Sequence, residues 1–464
     1  MLTVGLIFSF IAWSTGFTDS KRPDSRINIL LIMPDAFRPM NLHCYGYPKK
    51  TSPFIDKLAS EGVLFKNAFA QTAHTYPGVA SVYTGLYPHT HELEAEESYN
   101  RIKDISWSYL KSKEGFENWE PPLNILRRKG YQTICKFGGN LSQSLGCTIN
   151  IKEKGGFFKA IEEYKNSLFF MMTMPYHVHI PYKAVPPYDT MFLPKDYKIT
   201  ENFKKYMKMV KTTGRGYILN PKLVNEKYQK AKTATAWKVF TLSKEDRPAM
   251  MAQYDGALRV LDTEIESYVK KLEELGLLDD TLIIITSDHG EEILERGSLG
   301  HASCSMAGTL YEENIRIPLI MRYPKALPQG KVIETQISQV DIMPTIFDIL
   351  GLSMPEGTEG RSLMPLIKGE KSDFDEETYL ETLKCGWQTL PDDGRMLWAV
   401  RTPEWKLILH YDYKNKEDKG SYEPYNLKND PGEKHNLIDK EPEIAEKFKI
   451  KLHEKIEHRL KSLN

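Results

Sequence analysis

Apolar positions fall along this chain in two alternating patterns. Continuous apolar runs rich in β-branched residues occur in INILLIMPD (27–35), NSLFFMMTMPYHVHIPY (166–182) and TLIIITSDHG (281–290), each running into a polar cluster. A run that is apolar on both faces predicts a buried strand of a mostly parallel sheet. Between these runs, TSPFIDKLASEGVLF (51–65) and AMMAQYDGALRVLDTEIESYVKKLEELG (249–276) carry helical periodicity, and the second ends on a glycine stop. Strands alternating with helices predict an α/β domain with a large, mostly parallel central sheet flanked by helices, over residues 27–368.

Beyond about residue 370 the pattern changes. MLWAVRTPEWKLILHYDY (396–413) predicts two antiparallel strands joined by a turn at Thr402–Glu404, and EPEIAEKFKIKLHEKIEHRLKSLN predicts a charged amphipathic helix. Residues 369–464 are therefore expected to form a smaller C-terminal α+β subdomain. Residues 189–247 are rich in Lys and Tyr and only weakly periodic, and are expected to be an insertion near the pocket. At the start, LTVGLIFSFIAW (2–13) is apolar and precedes small residues at Ser14 and Gly16, so residues 1–26 are expected to be a signal or anchor followed by a polar linker. The run lacks a preceding Lys or Arg and is short for a membrane span. The expectation is an exported or N-terminally anchored protein ahead of a cytoplasmic one.

Composition removes some functions. The 62 basic residues balance 62 acidic ones, so no global field draws nucleic acid or anionic lipid, and neither is expected as a partner. The 5 cysteines are scattered without a CxxC, which argues against a disulfide scaffold and a thiolate zinc site. A Cys135–Cys147 bridge is compatible with the sequence, but nothing in the pattern calls for it.

In open α/β sheets, ligands bind beyond the carboxyl ends of the strands. Asp35, His179 and the pair Asp288–His289 all stand at such ends. Taken alone, Asp35 reads as a turn carboxylate. Asp288 and His289, followed at once by Gly290, make a more specific signal, because a tight turn there presents both to one centre. His301 lies in a glycine-flanked loop, GSLGHAS, where an imidazole is easily exposed. Carboxylates, an imidazole and a hydroxyl form a mixed oxygen and nitrogen set suited to a divalent ion. Thr75, in QTAHTYPGVASVYTG (71–85), supplies the hydroxyl at the start of a short apolar helix. Locally it is equally a helix cap or a nucleophile that needs a metal or a base to activate it. His179 is favoured as an anion contact. His177, two residues away, is left open, since on an extended segment both rings could share a side. His74, His89 and His91 are read as packing or surface residues.

These segments together resemble the sulfatase family of the alkaline phosphatase superfamily, from Asn28 to about Leu437. TYPGVASVYTGLYP stands where that family has its nucleophile, and LLDDTLIIITSDHGEE is similar to its metal-binding strand. LYEENIRIPLIMRYP, QVDIMPTIFDILGL, GRSLMPLIKG and YNLKNDPGEKHNL resemble later hallmarks. The resemblance implies one divalent metal ion (Ca, Mn, Mg or Zn) on Asp35, Thr75, Asp288 and His289. It also implies that Thr75 is the nucleophile and that His179 and His301 hold the oxyanion of a small-molecule or glycan ester. Four departures qualify it. The family's nucleophile is Cys or Ser oxidised to formylglycine, an aldehyde that Thr does not form. The Arg four residues later is Val79, the second Asp of the opening pair is Ala36, and a Lys ahead of the YE pair is Ala307. The expected function is a metal-dependent hydrolase of a phosphate or phosphonate ester, ahead of a sulfate ester, through a covalent Thr75 intermediate. The alternatives are a sulfatase working without formylglycine and a catalytically silent anion- or glycan-binding homologue.

Overall fold

The structure, a computed structural model, describes residues 27–93, 107–137, 141–153, 155–213, 242–301, 308–370, 374, 377–383, 395–412, 414–415, 417 and 419–463. The proposed leader at 1–26, Ala307, and residues 214–241 of the expected insertion lie outside them.

Its strands are β1 (Asn28–Ile32), β2 (Val63–Phe69), β3 (Tyr131–Lys136), β4 (Ile149–Asn150), β5 (Leu168–Thr173), β6 (Thr281–Ile285), β7 (Glu292–Ile293), β8 (Leu299–Gly300), β9 (Arg316–Arg322), β10 (Lys331–Ser338), β11 (Thr378–Leu383), β12 (Arg395–Arg401), β13 (Trp405–Asp412) and β14 (Ser421–Asn426). The principal helices are α1 (Pro53–Ser60), α2 (Thr75–Thr84), α3 (Pro122–Arg128), α4 (Gly156–Glu163), α5 (Glu201–Thr213), α6 (Arg247–Glu274), α7 (Ile342–Ile349) and α8 (Pro442–Leu463). Eight strands form the main sheet in the order β10-β2-β9-β6-β1-β5-β3-β4. Within it β9 runs antiparallel to both neighbours, and the remaining pairs are parallel. The expected α/β class with a mostly parallel central sheet is what the chain adopts.

Strand β1 shows why. Its alternate residues serve two cores, Ile29 and Leu31 on one face and Leu30 and Ile32 on the other. The first core is closed by Val79 and Val82 of α2 and Ile342 and Ile346 of α7, the second by Leu258, Leu261 and Ile265 of α6. Each of these aliphatic side chains, fully buried, contributes on the order of 2 kcal/mol. A strand so placed has no polar face, which is why it reads as one unbroken apolar run.

The helix expected over 51–65 is shorter than its periodicity. It stops at Ser60, and Val63, Leu64 and Phe65 instead pair with Met321, Ile320 and Leu319 of β9. Branched and aromatic residues here gain more from a ladder than from another helical turn. Gly62 makes the approach feasible, since a Cβ there would lie 2.2 Å from the Met321 carbonyl oxygen. The Asp262 carboxylate of α6 accepts from Phe54 N and Ile55 N at 3.0 and 2.8 Å, satisfying orphan donors of the first turn of α1.

A second, antiparallel sheet has the order β11-β12-β13-β14. The turn at Thr402–Glu404 joins β12 to β13 as expected, with Arg401 opposite Lys406. One face of this sheet packs Leu397, Ala399 and Ile408 on Phe69 and Ile315. The other packs Trp398 and Leu409 on Phe448 and Leu452 of α8. Between the two sheets the Glu312 carboxylate accepts from Arg401 Nε at 2.8 Å and Lys406 Nζ at 2.9 Å. The described flanks of the 189–247 segment pack on α6: Gln253 Nε2 donates to Asp189 O at 2.7 Å, and Phe203 and Tyr206 are buried. Cys135 and Cys147 are joined in a disulfide between the end of β3 and the residues before β4. Among the described residues no helix is long and apolar enough to cross a membrane.

Candidate active site

The carboxyl ends of β1, β6 and β5 lie side by side, and the loops leaving them meet the start of α2. Asp35 follows β1, Asp288 and His289 follow β6, His179 follows β5, and Thr75 is the first residue of α2. All four groups converge. Thr75 Oγ1 lies 3.2 Å from His289 Nε2. The same nitrogen is 3.3 Å from Asp288 Oδ2 and 3.6 Å from Asp35 Oδ1. His179 Nε2 is 4.0 Å from Asp35 Oδ2. The His301 ring sits with its centroid 4.2 Å from that of His289 and 4.8 Å from that of His179.

Hydrogen bonds fix which atoms face the centre. His289 Nδ1 donates to the Gly290 carbonyl at 2.8 Å, so Nε2 carries the lone pair. Asp288 Oδ1 is taken up by Ala36 N at 3.2 Å and His289 N at 2.9 Å. Its Oδ2, like Asp35 Oδ1, is buried without a hydrogen-bond partner. Two orphaned carboxylate oxygens, an imidazole lone pair and a hydroxyl oxygen thus point at one another. Beyond the one proton of the Thr75 hydroxyl, which can serve His289 Nε2, the two buried carboxylate oxygens have no donor, and holding them so costs several kcal/mol unless a cation lies between them. The donor set therefore fits a divalent ion, and this convergence is the observation on which the fit rests. Asp35, His289 and His301 each offer a ligand atom within 4.8 Å of the others, so His301 belongs to the same cluster. The expected set assigned it only to the substrate.

The electrostatics agree. Burial, reinforced by the neighbouring Asp288 and Glu291 carboxylates, pushes Asp35 well above the usual carboxylate range. Burial likewise raises Asp288. It lowers His289 to about 3 and depresses His179 and His301, so these rings are neutral at pH 7 and fit for ligation.

Close backbone packing sets the position of Thr75. A Cβ on Gly78 would lie 2.5 Å from the Asp288 carbonyl oxygen, so only glycine lets the first turn of α2 rest on the Asp288 loop. Gly78→Ala is expected to push α2 outward by some tenths of an ångström. The result would be a loss of roughly 1–3 kcal/mol of stability and of about 100-fold in turnover, read from thermal unfolding and kinetics. From the other side, Gln339 Nε2 donates to Ser287 O at 2.7 Å and Asp288 O at 3.0 Å, holding the same loop.

Several supporting residues were not singled out in the sequence. Glu291 Oε2 lies 2.6 Å from His301 Nδ1, and Tyr182 Oη donates to Glu291 Oε1 at 3.1 Å. This orients the His301 ring and leaves its Nε2 for a ligand. Burial pushes Glu291 up to about 8. Arg38, also buried, donates to Glu291 O at 2.7 Å and to Glu295 Oε1 at 2.8 Å. Arg38, Tyr182 and Glu291 stood inside the very segments PDAFR, HIPY and TSDHGEE. Their signal was adjacency to candidate ligands rather than any pattern of their own. His177 turns away from His179 and places Nε2 2.5 Å from Glu264 Oε2, because β5 ends at Thr173 and the segment beyond it is no longer extended. His89 Nδ1 lies 3.1 Å from Glu381 Oε1 and His91 Nε2 3.1 Å from Ser81 Oγ, hydrogen bonds that hold both rings in place. His74 is buried beside the cluster, and burial and His301 lower it to about 3. Val79 is buried in the core under α2, and Ala36, with φ of 61°, gives only its N–H to Asp288.

The Arg38–Glu295 pair predicts a pH dependence. Burial opposes ionisation of Glu295, but the Arg38 and Arg247 guanidinium groups outweigh it and hold the carboxyl down to about 2. A depressed carboxylate contributes stability that is fully present above its unfolded value near 4.5 and is lost as pH falls towards 2. Roughly 3 kcal/mol is at stake. Glu295→Gln should therefore lower stability at pH 7 and flatten its fall across that window, measured by denaturant titration at each pH.

A family model described as sulfatase matches residues 27–352, and one described as N-sulphoglucosamine sulphohydrolase, C-terminal, matches residues 307–462. The chain is 24% identical to an N-acetylglucosamine-6-O-sulfatase of Bacteroides thetaiotaomicron over 93% of its own length and 85% of the relative's. It is 25% identical to arylsulfatase K of Canis lupus familiaris over 92% and 81% of the two lengths. Among solved structures, the phosphonate monoester hydrolase of Agrobacterium radiobacter superposes with a TM-score of 0.67 at 19% identity, covering 94% of this chain and 96% of that one.

Proposed function

The chain belongs to the sulfatase family of ester hydrolases, and from that premise we propose that it hydrolyses a phosphate or phosphonate ester, ahead of a sulfate ester, through attack by Thr75. The observation that carries this reading is the convergence of Thr75 Oγ1, His289 Nε2 and the orphaned oxygens of Asp35 and Asp288. These four atoms would hold a divalent ion. When bound, it supplies the positive charge that lowers the pKa of a neighbouring hydroxyl and neutralises an ester oxyanion. The start of α2 adds the positive end of a helix dipole beside Thr75, which favours an anionic substrate.

Thr75 Oγ1 attacks phosphorus or sulfur in line with the departing alcohol; the bond to that alcohol oxygen breaks as the threonyl ester forms, and the hydroxyl proton passes through solvent to the departing oxygen. His179 and His301 flank the reacting group, with Glu291 keeping His301 in place. Water then attacks the threonyl ester and restores the hydroxyl. A formylglycine hydrate carries a second hydroxyl that can expel its ester by elimination. Threonine has none, so both halves of the reaction are displacements at the same phosphorus or sulfur atom. Val79 and Ala36 take away a cation and a carboxylate of the usual sulfate site, which supports a changed ester preference. The phosphonate monoester hydrolase of Agrobacterium radiobacter, similar in fold, supports the phosphorus-ester reading. The alcohol half is taken to be a small molecule or a glycan, in keeping with the N-acetylglucosamine-6-O-sulfatase relative. The buried Cys135–Cys147 bridge supports an oxidising compartment, and so export.

The test offers full-length protein reconstituted with Ca, Mn, Mg or Zn paired aryl phosphate, phosphodiester, phosphonate and sulfate esters. Phosphorus esters are expected to exceed sulfate esters by at least about 10-fold in kcat/KM. Turnover of sulfate alone would replace the proposal with a sulfatase that works without formylglycine. Turnover of none would leave an anion- or glycan-binding homologue.

A further inference from the structure

A groove of about 520 Å³ opens over the carboxyl ends of β5, β3 and β4, beside the Thr75 centre. Two aromatic contacts tie it to that centre. Phe137 lines the groove and meets the ring of Tyr76, next to Thr75, at 6.3 Å. Tyr176 lines it too, 40% exposed, and meets the His179 ring edge-on at 6.2 Å. Ile151, Met174 and Pro175 add apolar wall, and the charged part of the lining is mostly basic. Lys136, Lys152 and Lys183 face one carboxylate, Glu264, which already engages His177 Nε2 at 2.5 Å and Lys136 Nζ at 3.5 Å. Burial opposes its charge, but His177, Tyr268 and Lys136 hold it ionised, with a pKa of about 2. Glu264 therefore neutralises one cation and leaves the others over. Lys152 and Lys183 are exposed, so their charges face whatever enters.

We propose that this groove is an anion subsite for the alcohol half of the ester, so that the substrate is the ester of a ring-bearing alcohol carrying a carboxylate, sulfate or phosphate of its own. Three observations favour this over a neutral alcohol. The groove adjoins the reacting group on the side of β5 and β3, where a leaving group bound at Thr75 has room to extend. Tyr176 offers an exposed ring face to a sugar or aryl ring. The excess of ammonium groups would be left uncompensated by a neutral occupant, whereas a second anion is attracted there and steered into the site. The inference rests on the proposed hydrolysis for what the groove serves, but its test does not require turnover.

Equilibrium binding to full-length protein and to its Thr75→Ala form compares 3-hydroxybenzoate with phenol, and glucuronate with glucose. The anionic member of at least one pair should bind about ten-fold tighter in both proteins, with the advantage shrinking as salt rises. Lys136→Gln combined with Lys183→Gln should cut that advantage to about two-fold or less, and Lys152→Gln with Lys183→Gln, both exposed, should lower it as well. Whichever pair discriminates tells whether the alcohol is a sugar or an aryl compound. Equal binding within both pairs would overturn the proposal, as would an advantage that survives both double variants. Failure of the unmodified protein to hydrolyse any of the esters, or undiminished turnover in Thr75→Ala, with the binding pattern intact would refute the Thr75 reading and leave the subsite standing.

Discussion

Thr75→Ala is expected to lower kcat/KM for the preferred ester by at least about 1,000-fold, roughly 4 kcal/mol of transition-state stabilisation. The protein should unfold within about 1 kcal/mol of its normal stability, because Thr75 is only partly buried and its loss opens little cavity. The N-cap of α2 is His74 and the Thr75 hydroxyl pairs with His289, so the helix does not depend on that hydroxyl. Thr75→Ser keeps the hydroxyl 3.2 Å from His289 and should retain activity within about 10-fold. Steady-state kinetics on the three proteins, with equal metal content confirmed beforehand, read the difference. A helix cap and a nucleophile separate cleanly here, since a cap lost to alanine costs stability and leaves chemistry nearly intact.

Asp288→Asn should lose the bound divalent ion while keeping the fold. The substitution preserves an acceptor for Ala36 N and His289 N, which use only Oδ1. It replaces the orphaned Oδ2 with a donor that no cation tolerates. Wild-type protein at 100 times the ion's dissociation constant gains about 2.7 kcal/mol from binding, and the variant should gain almost none. In metal-free protein the sign reverses. Asp35 and Asp288 repel each other across a buried gap, so removing one charge should make the stripped variant at least as stable as stripped wild type. Thermal unfolding with and without chelator, beside elemental analysis, shows both effects. A variant that keeps the ion would move the site away from Asp288.

The fold was legible because its central strands are buried on both faces. INILLIMPD and TLIIITSDHG could be no other kind of element, and the residues that end them, Asp35 and Asp288–His289, are the ones that converge. The boundary at Val63 was not legible, because apolar residues at 63–65 suit a helix and a strand equally until β9 is present to pair with them. The residues that converge were legible in the sequence, and those that hold them in place were not. Tyr182 and Arg38 reach Glu291 from segments more than 100 residues away, and no local spacing encodes those contacts. Gly78 likewise looks like any small helical residue until the Asp288 carbonyl is seen resting where its Cβ would be. His177 and His179 separate because the backbone bends after β5, and period-two reasoning applies only while a strand lasts.

The most direct measurement traps the covalent intermediate. Protein mixed with its preferred ester, quenched in acid within the first turnover and digested, is examined by mass spectrometry for the peptide containing Thr75. The expected result is a phospho, phosphono or sulfo adduct on the Thr75 hydroxyl that disappears as substrate is exhausted and is absent from Thr75→Ala. An adduct on another residue, or undiminished turnover in Thr75→Ala, would contradict it.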